Sequence, residues 1–380
     1  MLLPPGASKA AGLLHLLKTE GLSPRNVLAF GDAENDRSML EIAEVKVAVA
    51  NAIGSIQALA DHVTAEAGAP GVSGFIERYL LDERPFDFPV RGAHQFPLDA
   101  TAQVNLNTYE LVDRHILIAG GSGYGKSWLA GRLADGLIHG GYQVLGLDPV
   151  GDLGVLRRHA TCLCLGREEV PPTGLLIELL AETDLSLIVD LSRFPTPEER
   201  VLYVAGLLRR VTEVRRRYGK PHWLVADEAQ DLFGGPDNPA SKFFCSEPAL
   251  PGAALVAWRP SQLSPGVLDR MDGFLLTRHT LEQETSALER ALAGRGLVVD
   301  GLAGRLAALE EGQALVWGLS SWQAETSPPL TLPLRFQIGP RSFPQMHRLH
   351  RSIEQRVLPA RQFYFHAAPE PVPPAGNLGD

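Results

Sequence analysis

The residues best placed to do chemistry in this chain form one run: Gly120, Gly121, Ser122, Gly123, Tyr124, Gly125, Lys126, Ser127 and Trp128. Gly120 to Ser127 fits the spacing G-x-x-x-x-G-K-[ST]. Glycines let such a loop wrap with its backbone N–H groups turned inward, where an anion meets those donors and the positive end of a following helix. Lys126 would then reach the β- and γ-phosphates of a nucleoside triphosphate, and Ser127 would offer its hydroxyl to Mg²⁺. A glycine-rich turn with an incidental lysine carries the same letters, so the flanks must decide. They fit the phosphate reading, because residues 115–119 form an apolar run of β type and Leu129, Leu133 and Leu137 recur at helical spacing up to Gly140 and Gly141.

A second group of acids follows the apolar run over residues 222–226, in the order Asp227, Glu228, Ala229, Gln230. An Asp leaving a strand beside a phosphate loop can hold Mg²⁺ through its water shell. The next Glu is then placed to polarise the water that attacks the γ-phosphate. Asp148, ending the strand over residues 143–147, is open to two readings: support for metal or water, or a plain turn former. Near the N-terminus, Gly31-Asp-Ala-Glu-Asn-Asp36 places Asp32 and Asp36 on a turn after a strand. Those carboxylates suit Mg²⁺, and they equally suit an acidic helix start.

Positioning these side chains requires an α/β framework. The pattern predicts a helix carrying Leu13, Leu14, Leu16 and Leu17 that stops at Gly21, strands over 27–30 and 46–50, and a helix over 39–43 between them. Charge, proline and loss of periodicity from Asp82 onward mark a boundary. Further strands are expected over 185–189, 253–257, 274–277 and 313–317, with a helical stretch over 282–293. Thr196-Pro-Glu-Glu199 is a capping box that opens a helix to about Tyr218. Its end carries Arg209, Arg210, Arg215, Arg216 and Arg217, which suit either a solvated face or a nucleic-acid contact. The expected division is 1–82, a linker 83–108, a main domain 109–335, and a basic, proline-rich tail 336–380. In that tail, His347, Arg348, His350 and Arg351 fit an exposed polar helix better than zinc or phosphate ligands, and residues 369–380 are expected to be disordered.

The chain has 380 residues, 45% of them hydrophobic and 21% charged, as in an ordinary globular protein. No apolar run approaches the roughly 18 residues of a membrane span, and the first residues lack a secretory pattern. A cytoplasmic protein with no membrane partner is expected. Cys162, Cys164 and Cys245 are too few for a disulfide framework and read as core thiols. The formal charge of -9 argues against a DNA-coating protein and leaves room for a local basic channel.

Two family resemblances follow from these motifs. Lys9, the acidic loop 31–36, Val-Ala-Val-Ala-Asn-Ala over 47–52, His62-Val-Thr64 and Gly71-Val-Ser73 resemble the C-terminal third of haloacid-dehalogenase-type, Cof-like phosphatases. The resemblance implies that Lys9 holds a phosphoryl group, with Asn35 beside it, and that Asp32 and Asp36 hold Mg²⁺. The family's nucleophile lies on an Asp-x-Asp strand that has no counterpart here. The expectation is a chain shortened at its N-terminus and inactive as a phosphatase. The second resemblance rests on Asp148-Pro-Val-Gly-Asp152, on Trp223-Leu-Val-Ala-Asp-Glu-Ala-Gln230 and on Trp258-Arg-Pro-Ser261. These resemble the HerA and FtsK superfamily of P-loop ATPases, over about residues 110–320. It implies ATP and Mg²⁺ as cofactors, DNA as a partner, a hexameric homo-oligomer, and an arginine acting across subunits, for which Arg278, Arg290 and Arg295 are candidates. Arg259 matches the motif's arginine. Trp258 stands where the family carries Gln, and an indole N–H donates but cannot accept a hydrogen bond.

The expected fold class is therefore α/β: a P-loop NTPase sheet with flanking helices, preceded by an incomplete HAD-like α/β piece. The expected function is Mg²⁺-dependent ATP hydrolysis, with Lys126 and Glu228 catalytic and Ser127 and Asp227 at the metal, in a motor linked to nucleic acid. The alternatives are a phosphatase that the ATPase part regulates, and a nucleotide-binding module that does not turn over.

Overall fold

The structure, a computed structural model, describes residues 8–82, 84, 86–90, 95–99, 104–111, 114–297, 300–317 and 334–339. Ser8 caps α1 (Lys9–Glu20), its side-chain oxygen accepting from the Ala11 N–H, and Gly21 ends the helix in the left-handed conformation. Then β1 (Leu28–Gly31), α2 (Arg37–Ile42), β2 (Val45–Ala48), α3 (Gly54–Leu59), β3 (His62–Val63) and α4 (Gly68–Phe75) alternate. The three strands pair in that order, all parallel. Successive residues of β2 face opposite cores: Ala48 joins Ala29, Leu40 and Ile56, whereas Val47 joins Phe75 and Tyr79.

Next come a short antiparallel pair, β4 (Gln95–Pro97) and β5 (Asn105–Asn107), and α5 (Thr108–Leu111). Leu98, Val104 and Leu106 are fully buried in one core with Ile116 and Leu129. Part of the stretch expected as linker is therefore packed into the structure that follows it.

That structure is built from β6 (His115–Ala119), α6 (Lys126–His139), β7 (Val144–Asp148), β8 (Cys162–Leu165), α7 (Thr173–Glu182), β9 (Ser186–Asp190), α8 (Pro197–Tyr218) and β10 (Trp223–Ala226). It continues through α9 (Pro239–Ser246), β11 (Gly252–Ala257), α10 (Pro265–Asp269), β12 (Gly273–Thr277), α11 (Glu282–Gly294), α12 (Leu302–Ala307), β13 (Gln313–Trp317) and β14 (Leu334–Gln337). The nine strands form one sheet in the order β14-β13-β12-β6-β11-β10-β7-β9-β8. From β12 to β8 every pairing is parallel; β13 pairs antiparallel with β12, and β14 antiparallel with β13.

Both faces of the sheet are covered, which is why its central strands are apolar without alternation. Ile116 and Ile118 of β6 pack with Leu129 and Leu133 of α6. Leu117 and Ala119 face a second core, shared with Leu176 of α7, Leu208 of α8 and Leu288 of α11. The start of α8 follows its capping residues, with the Thr196 side chain accepting from the Glu199 N–H and Pro197 in the first turn. At the start of the stretch expected as tail, buried Phe336 and Ile338 alternate with exposed Arg335 and Gln337. That alternation is a strand period, and β14 pairs with β13 through Gln337. The readings made for His347, Arg348, His350, Arg351 and residues 369–380 lie outside the described residues.

The N-terminal sheet docks at the N-terminal ends of β7 and β10. Glu44 is buried and accepts from the Tyr142 hydroxyl, and it pairs with Arg25 at 2.8 Å. Asn26 donates to the Gly219 carbonyl at 3.2 Å. His222 is buried, and its imidazole Nδ1 accepts from the Gln143 N–H. Burial, then the charges of Arg215 and Lys220, push its pKa down to about 3, so the ring is neutral and its Nε2 is left to donate to Asn26 Oδ1 at 3.2 Å. No helix among the described residues is long and apolar enough to cross a membrane.

Candidate nucleotide site

The C-terminal edge of the parallel strands gathers the chemistry the sequence pointed to, at the place where open α/β sheets bind ligands. Residues 120–125 leave β6 and turn directly into α6, which starts at Lys126 with left-handed Gly125 (φ 99) at its cap. The base of this loop is pinned to the end of β12, since the Gly121 N–H donates to the Arg278 carbonyl at 2.8 Å. Ser122 and Gly123 are exposed at the loop tip, whereas Gly125 and Lys126 are buried and Tyr124, Ser127 and Trp128 are partly so. Arg278 lies over the Tyr124 ring, 5.1 Å from its centroid.

Two strands over from β6, β10 delivers Asp227 and Glu228 to the same edge. Lys126 Nζ stands 3.7 Å from Glu228 Oε1, so the phosphate-loop lysine and the candidate base meet. Glu228 adopts a left-handed backbone (φ 40), the lone non-glycine with positive φ among the described residues. Such a conformation is uncommon for a side-chain-bearing residue, and strain of this kind concentrates at functional sites. Gln230 Nε2 donates to Glu228 Oε2 at 2.7 Å.

Asp227 is almost wholly buried. Its Oδ1 accepts the Glu228 N–H, while its Oδ2 has no hydrogen-bond partner. Burial first, then the charges of Asp148 and Glu228, push its carboxyl up to about 7 against the opposing pull of Lys126. An orphaned buried carboxylate oxygen beside a lysine and a helix start is what a cation would complete. Ser127, in the first turn of α6, provides a hydroxyl of the type Mg²⁺ takes, and Mg²⁺ bound with a triphosphate needs few protein ligands. These residues fit the metal and nucleotide inferred from sequence.

Asp148 is engaged by the loop that follows it. Its Oδ1 accepts from the N–H groups of Val150, Gly151 and Asp152, and its Oδ2 from that of Leu153 at 2.8 Å. Burial pushes its carboxyl up to about 6 even so. Arg259 lies over its neighbour Trp258, 3.8 Å from the ring centroid, and the Trp258 carbonyl is 3.0 Å from His279 Nε2. Of the other arginines considered, Arg295 reaches Asp272 at 3.5 Å and Arg290 the Ser286 carbonyl at 3.4 Å. The five arginines in the second half of α8 engage groups of their own chain: Arg209 the Phe243 ring, Arg210 Thr173, Arg215 the Pro221 carbonyl, Arg216 Glu247 and Arg217 the Tyr218 ring. Arg209, Arg210, Arg216 and Arg217 are exposed all the same.

In the N-terminal sheet, Lys9 pairs with Asp36 Oδ1, and Asp36 Oδ2 accepts the N–H groups of Asp32 and Ala33. Burial opposes the Asp36 charge, but Lys9 and those two N–H groups hold its carboxyl down at about 2. Asp32 and Asn35 are exposed on the same turn. Lys9 and Asp36 are thus brought together, with both Asp36 oxygens already engaged. No group of three or more His, Cys, Asp or Glu side chains suited to a metal occurs among the described residues.

Comparison with known families gives two separate matches. Residues 1–76 match the haloacid dehalogenase-like hydrolase family, and residues 96–177 match the central domain of helicase HerA. The chain joins a haloacid dehalogenase-like segment to a HerA-like one. Among curated relatives, phosphoglycolate phosphatase 2 of Saccharolobus solfataricus is 39% identical over 80 residues, 21% of this chain and 34% of that protein. The phosphoglycolate phosphatase of Methanothermobacter thermautotrophicus is 38% identical over 76 residues, 20% of this chain and 34% of that protein. The chain thus spans about a third of the length of these relatives. A solved structure of the genome packaging NTPase B204 from Sulfolobus turreted icosahedral virus 2, bound to ATP-gammaS, aligns with 59% of this chain and 99% of its own at 14% identity and a TM-score of 0.42. The HerA-like match includes the phosphate loop and ends before Asp227 and Glu228, whose place at the site rests on the sheet geometry.

Proposed function

We propose that the HerA-like part, residues 109–335, binds ATP with Mg²⁺ and hydrolyses it. One observation carries this reading: Lys126 and Glu228, from motifs far apart in sequence, come within 3.7 Å at the sheet edge where Asp227 keeps a buried oxygen unpaired. The amides of residues 120–125 and the start of α6 hold the phosphates. Lys126 turns from Glu228 to the β- and γ-phosphates. Ser127 and Asp227 hold Mg²⁺, which when bound supplies neutralisation of phosphate charge. Glu228 orients a water on the γ-phosphate and takes its proton. Lys126→Ala is expected to abolish nucleotide binding. Glu228→Gln is expected to keep binding and to lower turnover by on the order of 100-fold or more. Wild-type hydrolysis by Glu228→Gln would remove that residue from the mechanism, and steady-state phosphate release separates an ATPase from a module that only binds.

We further infer that turnover serves movement on nucleic acid within a homo-oligomeric ring in the cytoplasm. The support is the HerA description of the matched family. Neither the net charge nor the engaged arginines of α8 add to it. The test is ATPase activity with and without DNA across a salt titration, since phosphate contacts make binding salt-dependent. Sedimentation of the nucleotide-bound chain tests the ring.

A second reading, phosphoric monoester hydrolysis by the N-terminal segment, is favoured by the Lys9 and Asp36 pair and by the phosphatase relatives. Mg²⁺ at Asp32 and Asp36 would require Lys9 to release Asp36. Release of p-nitrophenol from p-nitrophenyl phosphate by the full chain, lost in Asp36→Ala, would support it; no release would count against it.

A further inference from the structure

We propose that Gln230 is a positioning residue for the ATPase reaction, fixing which oxygen of Glu228 faces the phosphate loop. This rests on the reading of Glu228 as the residue that activates water. The Glu228 carboxylate is held at both ends: Oε2 accepts from Gln230 Nε2 at 2.7 Å, and Oε1 faces Lys126 Nζ at 3.7 Å. A lysine drawn to phosphate gives up its hold on the carboxylate. The amide of Gln230 is then the partner that keeps Oε2 turned away and leaves Oε1 presented to the loop. A general base needs that geometry, because a carboxylate free to rotate samples many orientations and few of them meet the water.

Three features show that the amide is placed rather than incidental. The turn carrying it is rigid, with Ala229, Leu232 and Phe233 fully buried and the Phe233 N–H donating to the Ala229 carbonyl at 2.8 Å. Its backbone is close-packed against Gly234, where an added Cβ would lie 2.5 Å from the Gln230 carbonyl oxygen. Gln230 itself is 6% exposed, and its own Oε1 is buried without a hydrogen-bond partner. Turning the amide over would set that oxygen against the Glu228 carboxylate, so the network assigns the NH₂ to Glu228. A buried amide that leaves its oxygen unsatisfied to keep its nitrogen on a carboxylate is arranged for that carboxylate.

The test compares the full-length protein with Gln230→Met, Gln230→Glu, Glu228→Gln and the Glu228→Gln, Gln230→Met double variant, by steady-state ATP hydrolysis, nucleotide titration and thermal unfolding. Met keeps the length of the side chain and removes the donor; Glu keeps the shape and sets a carboxylate against Glu228. Both are expected to lower kcat by on the order of 10- to 100-fold, with KM and nucleotide affinity unchanged. The double variant is expected to be no slower than Glu228→Gln alone, because Gln230 acts through Glu228. Either Gln230 variant turning over at the wild-type rate beside an inactive Glu228→Gln would overturn the proposal alone. So would a change confined to KM, or a further loss in the double variant. Full turnover by Glu228→Gln would overturn the reading of Glu228 and this one with it.

Discussion

Gly120 and Thr277 pack so closely that a Cβ added to the glycine would lie 1.8 Å from Thr277 Oγ1 and 3.0 Å from Thr277 Cβ. Thr277 ends β12, is fully buried, and is held in register opposite Ala314 of β13. The first glycine of the proposed phosphate loop is therefore required by the neighbouring strand, whatever the loop binds. Gly120→Ala is expected to destabilise the protein by about 1–3 kcal/mol through overpacking and to weaken nucleotide binding by displacing the loop. Denaturant unfolding and titration with a fluorescent nucleotide read the two effects. Partial recovery in the Gly120→Ala, Thr277→Ala double variant would locate the clash at the hydroxyl, and wild-type stability in the single variant would count against it.

Asp148 gathers four backbone N–H groups, from Val150 to Leu153, onto its two oxygens. An asparagine offers one acceptor and one donor in that place, so Asp148→Asn leaves at least one buried N–H facing another donor. A loss of about 1–3 kcal/mol in stability is expected, with ATP turnover retained within a few-fold. If equilibrium unfolding were unchanged and Mg²⁺-dependent turnover were lost, Asp148 would belong to the metal site after all.

What could be read without coordinates followed local physics. The phosphate loop, the acids Asp227 and Glu228, the cap at Thr196 and the left-handed stop at Gly21 each depend on residues within a few positions of one another, and the structure places them so. The Gln230 hold on Glu228 was not legible, because it depends on a left-handed turn that no residue type announces. Nor was β8, whose Cys162, Leu163, Cys164 and Leu165 show no clear alternation, being an edge strand beside β9. The strand β14 was hidden by the proline-rich stretch before it and becomes a strand by pairing with β13. The role of Asp148 stayed open for the same reason, since a turn former and a metal ligand differ only in what meets the oxygens.

Glu44 and Tyr142 join the two parts of the chain through a buried hydrogen bond, with Arg25 completing the charge. Removing one partner of such a set leaves a buried group unsatisfied. Tyr142→Phe is therefore expected to cost about 1–3 kcal/mol, and Arg25→Ala about 3–5 kcal/mol, since it strands a buried carboxylate. This contact lies at the start of β7, and the proposed nucleotide edge lies beyond its end, roughly 15 Å away at the usual rise of a strand. The KM for ATP should therefore hold in both variants while the thermal midpoint falls. A KM shift without a change in midpoint would show that the N-terminal segment acts on the site instead of bracing the sheet.

Asp227 gives the fold a pH dependence of definite sign. Its carboxyl has an ordinary pKa near 3.8 and titrates at about 7 in the folded protein, chiefly because burial disfavours its charge. Between those values the folded state holds a proton that the unfolded state has lost, so this group's contribution is fully present below pH 3.8 and is lost as pH rises through 7. Asp227→Asn removes the charge and keeps the shape. With metal and nucleotide absent and EDTA present, the variant should be more stable than wild type at pH 8, and the gain should shrink steadily as the pH is lowered toward 4. The same variant should bind Mg²⁺ and ATP less tightly than wild type, since the buried acid that destabilises the empty site is the one proposed to hold the ion. Unfolding curves for the pair at pH 4 to 8 decide the matter: a constant difference would mean that Asp227 does not titrate in this range.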